Sequence, residues 1–387
     1  MIVHVLVFFL CASLGTEVCA GTIPFNDRHQ GELAAFISGL HVFDVNGVLV
    51  EITKDYTLSN NNWEGEITYK LYTKQTPTRG HELKINDTTS LKNSGFDPSK
   101  PTYMITHGWR NNGNSPSCVL IRDGPFVTLS LILNNIYIIN YGLIINNVHL
   151  STAYLANTDS NVIVLDWSSY SMSINYIDVA LKVKGIGERV KLFIKWLYAN
   201  GLKADALTLI GHSLGAHVMG LAGYELTPQV NNIVGKPHLG ALSRKDAKHV
   251  QIIHTNAGAL GYMCSHGHSD FFLNGGIAQP GCCDNLVTCG ACSHFRAVQF
   301  FAQSISRSFV GIKCDSDENF ENHNCGIHPQ TARMGGLNLG SALPGTYYLN
   351  TQYKKPFARV SPDLISNFPA VLPKMTSAAC RWQYLIN

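Results

Sequence analysis

A strand-like apolar run, a serine set between two glycines and a stretch of small residues follow one another in this chain. No other feature narrows its fold as much. Leu207-Thr-Leu-Ile210 reads as a buried strand. Gly211-His-Ser-Leu-Gly215 comes next, and Ala216, His217, Val218, Met219, Leu221 and Ala222 read as a helix. A strand that turns directly into a helix leaves no room for Cβ atoms beside the turn, which is what Gly211 and Gly215 supply. The serine of such a G-x-S-x-G turn stands at a helix N-terminus. Backbone N–H groups there lack intrahelical partners and can hold a developing oxyanion. Ser213 is therefore the candidate nucleophile, against the alternative of a Gly-rich turn with a capping serine.

The 387 residues allow one large domain or two smaller ones, and 45% hydrophobic against 14% charged residues supports a substantial core. A net charge of +3, with no basic cluster interleaved with aromatics, argues against a nucleic-acid partner. Ile2-Val-His-Val-Leu-Val-Phe-Phe-Leu-Cys-Ala12, followed by Val18-Cys-Ala20, reads as a secretory signal peptide over residues 1–20, although its start carries no Lys or Arg. The run is short for a membrane anchor. The expected location is therefore extracellular. Of the eleven cysteines, Cys11 and Cys19 fall in that segment, leaving nine. In a secreted chain these should pair, and the odd count implies a free thiol, an intermolecular bond or an error in the sequence. Asn86-Asp-Thr88 is an N-glycosylation acceptor.

Residues 41–56 and 66–73 alternate like strands, whereas 101–106 and 161–166 are continuous apolar runs of the kind buried in parallel sheets. Val179, Val183, Ile186, Val190, Phe193, Ile194 and Leu197 recur at helical spacing, which predicts a helix over 178–199. Val250–His254 reads as a strand and 295–305 as a helix. Strands alternating with helices predict an α/β fold with a mostly parallel central sheet and helices on both faces. Residues 124–152 break this order. They contain no Lys, Arg, Asp or Glu and are built from Ile, Asn, Leu and Tyr. Repeated Asn pairs argue against a membrane span, and no amphipathic period supports a helix. Ile, Asn and Tyr come from AT-rich codons, so the expectation is a retained intron read as protein. Its excision would join Arg122-Asp123 to Ala153-Tyr-Leu-Ala-Asn in one helix.

Several motifs occur together and in order. They are Thr106-His-Gly-Trp109, Val164-Leu-Asp-Trp167, Gly211-His-Ser-Leu-Gly-Ala-His217, Ile252-Ile-His-Thr-Asn256, Gly267-His-Ser-Asp-Phe-Phe272, Asn274-Gly-Gly276, Gln279-Pro-Gly-Cys282 and Cys292-Ser-His-Phe-Arg296. This set resembles the pancreatic lipase family, in particular the insect neutral lipase and phospholipase A1-like branch, from about residue 41 to about 360. The resemblance implies an α/β-hydrolase fold over residues 21–362 and hydrolysis of lipid carboxylic esters. It makes Ser213 the nucleophile, His294 the general base, and the backbone N–H groups of Trp109 and Leu214 the oxyanion donors. No cofactor or metal is expected. Cys289-x-x-Cys292-x-His294 with Cys282 and Cys283 has metal-ligand spacing, but an oxidising compartment favours disulfides.

The same resemblance places an aspartate, in a Leu-Asp-Pro-Ala-like motif, next to Gly235. Lys236-Pro237 stands there instead. Either a few residues have been lost through a splicing or gene-model error, or the acid is absent, which in serine hydrolases lowers rate roughly 10⁴-fold. Asp246 matches a helix position without a catalytic role, and Asp270 is a weak substitute. The resemblance further implies a lid closed by Cys282–Cys292, with Cys283 and Cys289 pairing inside it, and a second bridge, Cys314–Cys325. Cys118, Cys264 and Cys380 are unassigned. Such a short lid is similar to that of the phospholipase A1 members. No colipase-binding domain is expected, and 363–387 carries no recognisable pattern. The expected partners are a phospholipid or acylglycerol substrate and, transiently, a lipid surface. The alternative is a catalytically impaired lipid-binding or storage protein.

Overall fold

The computed structural model describes residues 41–43, 49–51, 66–123, 154–173, 176–235, 242–257, 260–261, 265–282 and 286–359. The signal peptide, the 124–152 segment, Lys236-Pro237 and the tail beyond 362 lie outside these residues. Strands β1 (His41–Phe43) and β2 (Leu49–Glu51) form a small antiparallel ribbon. Eleven further strands make one sheet: β3 (Thr68–Tyr72), β4 (His81–Leu83), β5 (Thr102–Thr106), β6 (Asn161–Asp166), β7 (Leu207–Gly211), β8 (Asn232–Gly235), β9 (His249–His254), β10 (Ser269–Leu273), β11 (Phe309–Lys313), β12 (Thr331–Met334) and β13 (Gly345–Leu349). Their spatial order is β12-β11-β13-β10-β9-β8-β7-β5-β6-β3-β4. Every pairing from β6 through β5, β7, β8, β9 and β10 to β13 is parallel. The strands at the two margins run antiparallel.

The helices in chain order are α1 (Thr88–Asn93), α2 (Pro116–Arg122), α3 (Tyr154–Asn157), α4 (Ser168–Ser171), α5 (Tyr176–Ala199), α6 (Leu214–Gly223), α7 (Leu286–Ser304) and α8 (Asp317–Glu321). Why the central strands are buried almost throughout follows from where the helices lie. Alternate residues of a strand point to opposite faces, and both faces are covered. Met104, Ile163, Leu165 and Leu209 join a core with Val179, Val183, Ile186, Val190, Phe193 and Leu197 of α5 and Val218 and Met219 of α6. Ile105, Val162, Val164 and Ile210 join a second core with Cys118 and Ile121 of α2, Tyr154 of α3 and Val298, Phe300 and Phe301 of α7. The expected α/β-hydrolase architecture, with helices on both faces, is present. Helix α7 is longer than the 295–305 expected from periodicity and begins at Leu286.

Strand β7 lies between β5 and β8, so its C-terminal end opens at the middle of the sheet. In open α/β sheets this is where ligands are bound, beyond the carboxyl ends of the strands.

Candidate active site

Chain order alone dictates where Ser213 stands. Strand β7 ends at Gly211, α6 starts at Leu214, and two residues make the turn. Ser213 has φ 57° and ψ −129°, a conformation rare for a non-glycine residue. The surroundings enforce it. A Cβ on Gly211 would run into the carbonyl of Gly215, and one on Gly215 into the carbonyl of His107. A Cβ on Gly108 would lie 2.7 Å from Ser213 Cβ and 2.9 Å from the His212 carbonyl. The loop after β5 therefore rests directly on the serine turn. Leu214, buried, opens α6 with its N–H in the first turn, where helices leave N–H groups without intrahelical acceptors.

Trp109 follows Gly108 and is half-buried, its side chain packed against the core beneath α5. Its indole Nε1–H donates to the Ser173 carbonyl at 2.7 Å, and Arg110 N–H donates to the Ser171 carbonyl at 2.8 Å. These bonds tie the loop after β5 to the segment after β6.

His294 reaches the site from α7. Its ring lies 4.6 Å, centroid to centroid, from that of His212, the residue before Ser213. His212 Nε2–H donates to the His294 carbonyl at 3.3 Å. The start of α7 is fixed twice more. Cys282 and Cys292 form a disulfide with Cα atoms 5.3 Å apart, and Ser293 Oγ accepts the Gln279 N–H at 3.0 Å. Gln279 is itself buried, its side-chain amide donating to the carbonyls of Thr255 and Leu273 at 3.1 and 2.8 Å. Because α7 begins at Leu286, the later part of the segment between these two cysteines is helical. The Cys282–Cys292 bridge excludes the zinc alternative built on those two thiolates. Cys314–Cys325 is also bridged, and Cys118 is a buried free thiol whose pKa burial raises to about 12. The proposed Cys283–Cys289 pair, Cys264 and Cys380 lie outside the described side chains.

Strand β8 ends at Gly235, paired with Gly211 of β7, and a Cβ there would meet Ala216 Cβ at 2.6 Å. Gly235 thus adjoins the serine turn. The two aspartates weighed from the sequence are engaged elsewhere. Asp270 is fully buried. It pairs with His254 Nε2 at 2.9 Å and accepts the N–H groups of His266 and Gly267 at 3.1 and 3.0 Å. Asp246 accepts the Ser243 N–H and hydroxyl at 2.7 and 3.2 Å beneath Gly220 of α6. Burial, only partly offset by those bonds and by Lys191, raises the Asp246 carboxyl to about 7.

One group at the site had no role in the sequence reading. His107, fully buried, has Nδ1 3.0 Å from the Gly108 carbonyl and Nε2 3.2 Å from both Asp166 Oδ1 and Trp167 N. Burial works to raise the Asp166 carboxyl, but hydrogen bonds from His107, the Gly113 N–H and Ser168 hold it below the usual carboxylate range. Both residues sit in motifs visible in the sequence. They are 59 positions apart in the chain, so nothing local signals the contact.

The Lipase family profile matches residues 44–357. The chain belongs to the Lipase family. It is 28% identical over 270 residues to Lipase member H of Xenopus tropicalis, a match covering 66% of this chain and 52% of that protein. To pancreatic triacylglycerol lipase of Mus musculus it is 29% identical over 331 residues, covering 75% and 64%. To phospholipase A1 member A of Bos taurus it is 28% identical over 270 residues, covering 66% and 52%. This lipase-family chain spans about half the length of the Lipase member H relative it matches. No helix among its described residues is long and apolar enough to cross a membrane.

Proposed function

We propose that this lipase-family protein is a secreted serine esterase that hydrolyses lipid carboxylic esters. The strained turn at Ser213 carries the reading, since it sets a hydroxyl at the start of α6 against the Gly108 backbone, with the His294 ring 4.6 Å from that of the neighbouring His212. Ser213 Oγ attacks the ester carbonyl. His294 takes its proton and delivers it to the leaving alkoxide, and the N–H groups of Trp109 and Leu214 bind the tetrahedral oxyanion. Phospholipid and acylglycerol remain the two substrate classes. A short lid tied by Cys282–Cys292 favours phospholipase A1-like access with transient contact at a lipid surface. Export through removal of residues 1–20 and a glycan on Asn86, which is exposed in the turn before α1, complete the proposal.

A second reading is supported by Lys236-Pro237 following Gly235, where an aspartate would orient His294. Among the relatives is one named inactive pancreatic lipase-related protein 1, from Mus musculus, 29% identical over 330 residues and covering 75% of this chain and 63% of that protein. On this reading the protein binds lipid without turning it over. Hydrolysis of phosphatidylcholine and triacylglycerol by the purified protein, compared with Ser213→Ala, separates the two. Turnover lost in the variant supports the esterase. Equal rates in both, with lipid retained, support the binding protein.

A further inference from the structure

We infer that His107 is a positioning residue that aims the backbone N–H of Trp109 at the reacting oxygen. The inference rests on the esterase reading above and assigns to a buried side chain the geometry of one oxyanion donor. A carbonyl oxygen can only accept, so the 3.0 Å contact between His107 Nδ1 and the Gly108 carbonyl requires the proton on Nδ1. The other ring nitrogen has two partners at 3.2 Å, Asp166 Oδ1 and the Trp167 N–H. In the neutral ring Nε2 accepts from Trp167, and in the imidazolium it donates to Asp166. Nδ1 keeps its proton on Gly108 in both states.

The Gly108 carbonyl and the Trp109 N–H belong to one peptide unit. The cis bonds among the described residues are Thr227–Pro228 and Lys355–Pro356, so this unit is trans. In a trans peptide the C=O and N–H vectors point in opposite directions. Anchoring the carbonyl on His107 turns the N–H the other way. Gly108 itself lies against Ser213, where an added Cβ would be 3.3 Å from Oγ, so that N–H belongs to the immediate surroundings of the nucleophile. The anchor is firm. Trp167 Nε1–H donates to the His107 carbonyl at 3.0 Å, the two rings stack at 5.5 Å, and His107 has no solvent exposure. Trp109 and Arg110 are held on their far side by Ser173 and Ser171, and His107 holds the peptide from the glycine side, where the backbone is otherwise free to rotate.

Two substitutions separate this role from simple packing. The amide nitrogen in H107N falls near the Nδ1 position, and in H107Q near the Nε2 position. With a short-chain p-nitrophenyl ester, H107N is expected to keep kcat within about tenfold of wild type. H107Q is expected to lose about 100- to 1000-fold in kcat with KM little changed, the loss typical of a missing oxyanion donor. Thermal melting establishes that each variant is folded. Equal impairment of the two, or equal retention of activity, overturns the inference. If H107Q does not fold, H107N decides alone, because a folded H107N slowed a hundredfold contradicts it. If the wild type turns over no ester, the esterase reading fails separately. Crystal structures of wild type and H107N then decide. An unrotated Gly108–Trp109 peptide, held by the introduced amide, supports the positioning role, and a rotated one overturns it.

Discussion

Ser213 holds a backbone conformation that costs of order 1–3 kcal/mol, and three glycines around it make that conformation possible. At Gly215 a methyl group would meet the His107 carbonyl, which accepts the Trp167 indole N–H. Gly215→Ala is expected to lower stability by about 1–3 kcal/mol or more, read by urea unfolding, and to reduce the reactivity of Ser213. Asp246 gives a second residue-scale prediction. Its folded carboxyl titrates near 7, above the 3.8 of an unhindered aspartate, so between those values the native state binds more protons than the unfolded chain. Its contribution to stability is complete below about pH 4 and is lost as pH rises through 7. Asp246→Asn, which can still accept the Ser243 N–H, is expected to be more stable than wild type at pH 8 and to show less decline in Tm from pH 4 to 8. An unchanged pH profile would show that Asp246 is not the group responsible. The serine turn was legible in the sequence because strand, glycines and helix are contiguous. The His107–Asp166 contact was not, since it is made between the ends of two parallel strands.

Helix α5 shows what periodicity can reveal. The residues spaced at three and four, from Val179 to Leu197, are all buried, joined by Lys191 and Trp196, and the observed helix exceeds the expected 178–199 by two residues at its start. Phe193 is fully buried and stacks on Tyr69 of β3 at 3.6 Å between ring centroids. Phe193→Ala is expected to cost about 3–5 kcal/mol, measured by denaturant unfolding, and a loss below 1 kcal/mol would contradict this packing. Helix α7 shows where periodicity stops. Its first turns contain Thr288 and Gly290, both poor helix formers, so only the apolar stretch from residue 295 onward announced it. The Cys282–Cys292 bridge joins positions 10 apart in sequence beside that start. Cys282→Ala/Cys292→Ala is expected to lose on the order of 3 kcal/mol. Because His294 lies two residues beyond the bridge, ester turnover should fall with it. Full activity in the double variant would show that the bridge does not position His294.

At the scale of the molecule, alternating strand and helix patterns announced the parallel sheet, and motif order announced the family, whose resemblance in turn implied the Cys282–Cys292 bridge. Two places resisted, the 124–152 segment and the Lys236-Pro237 junction, and both interrupt an otherwise ordered α/β succession. If 124–152 is a retained intron, tryptic peptides of the protein purified from its native source will run from Asp123 directly into Ala153, and peptides from within the segment will be missing. Placing Leu-Asp between Gly235 and Lys236 is expected to raise kcat by about 10³- to 10⁴-fold if the orienting acid is what the site lacks. The central claim, that Ser213 is an activated nucleophile served by His294, is tested most directly by treating the purified protein with a fluorophosphonate and mapping the adduct by mass spectrometry. A single adduct on Ser213, formed at least a hundredfold more slowly in His294→Ala, is the outcome expected. An unmodified Ser213 in the folded protein, or labelling indifferent to His294, would contradict it.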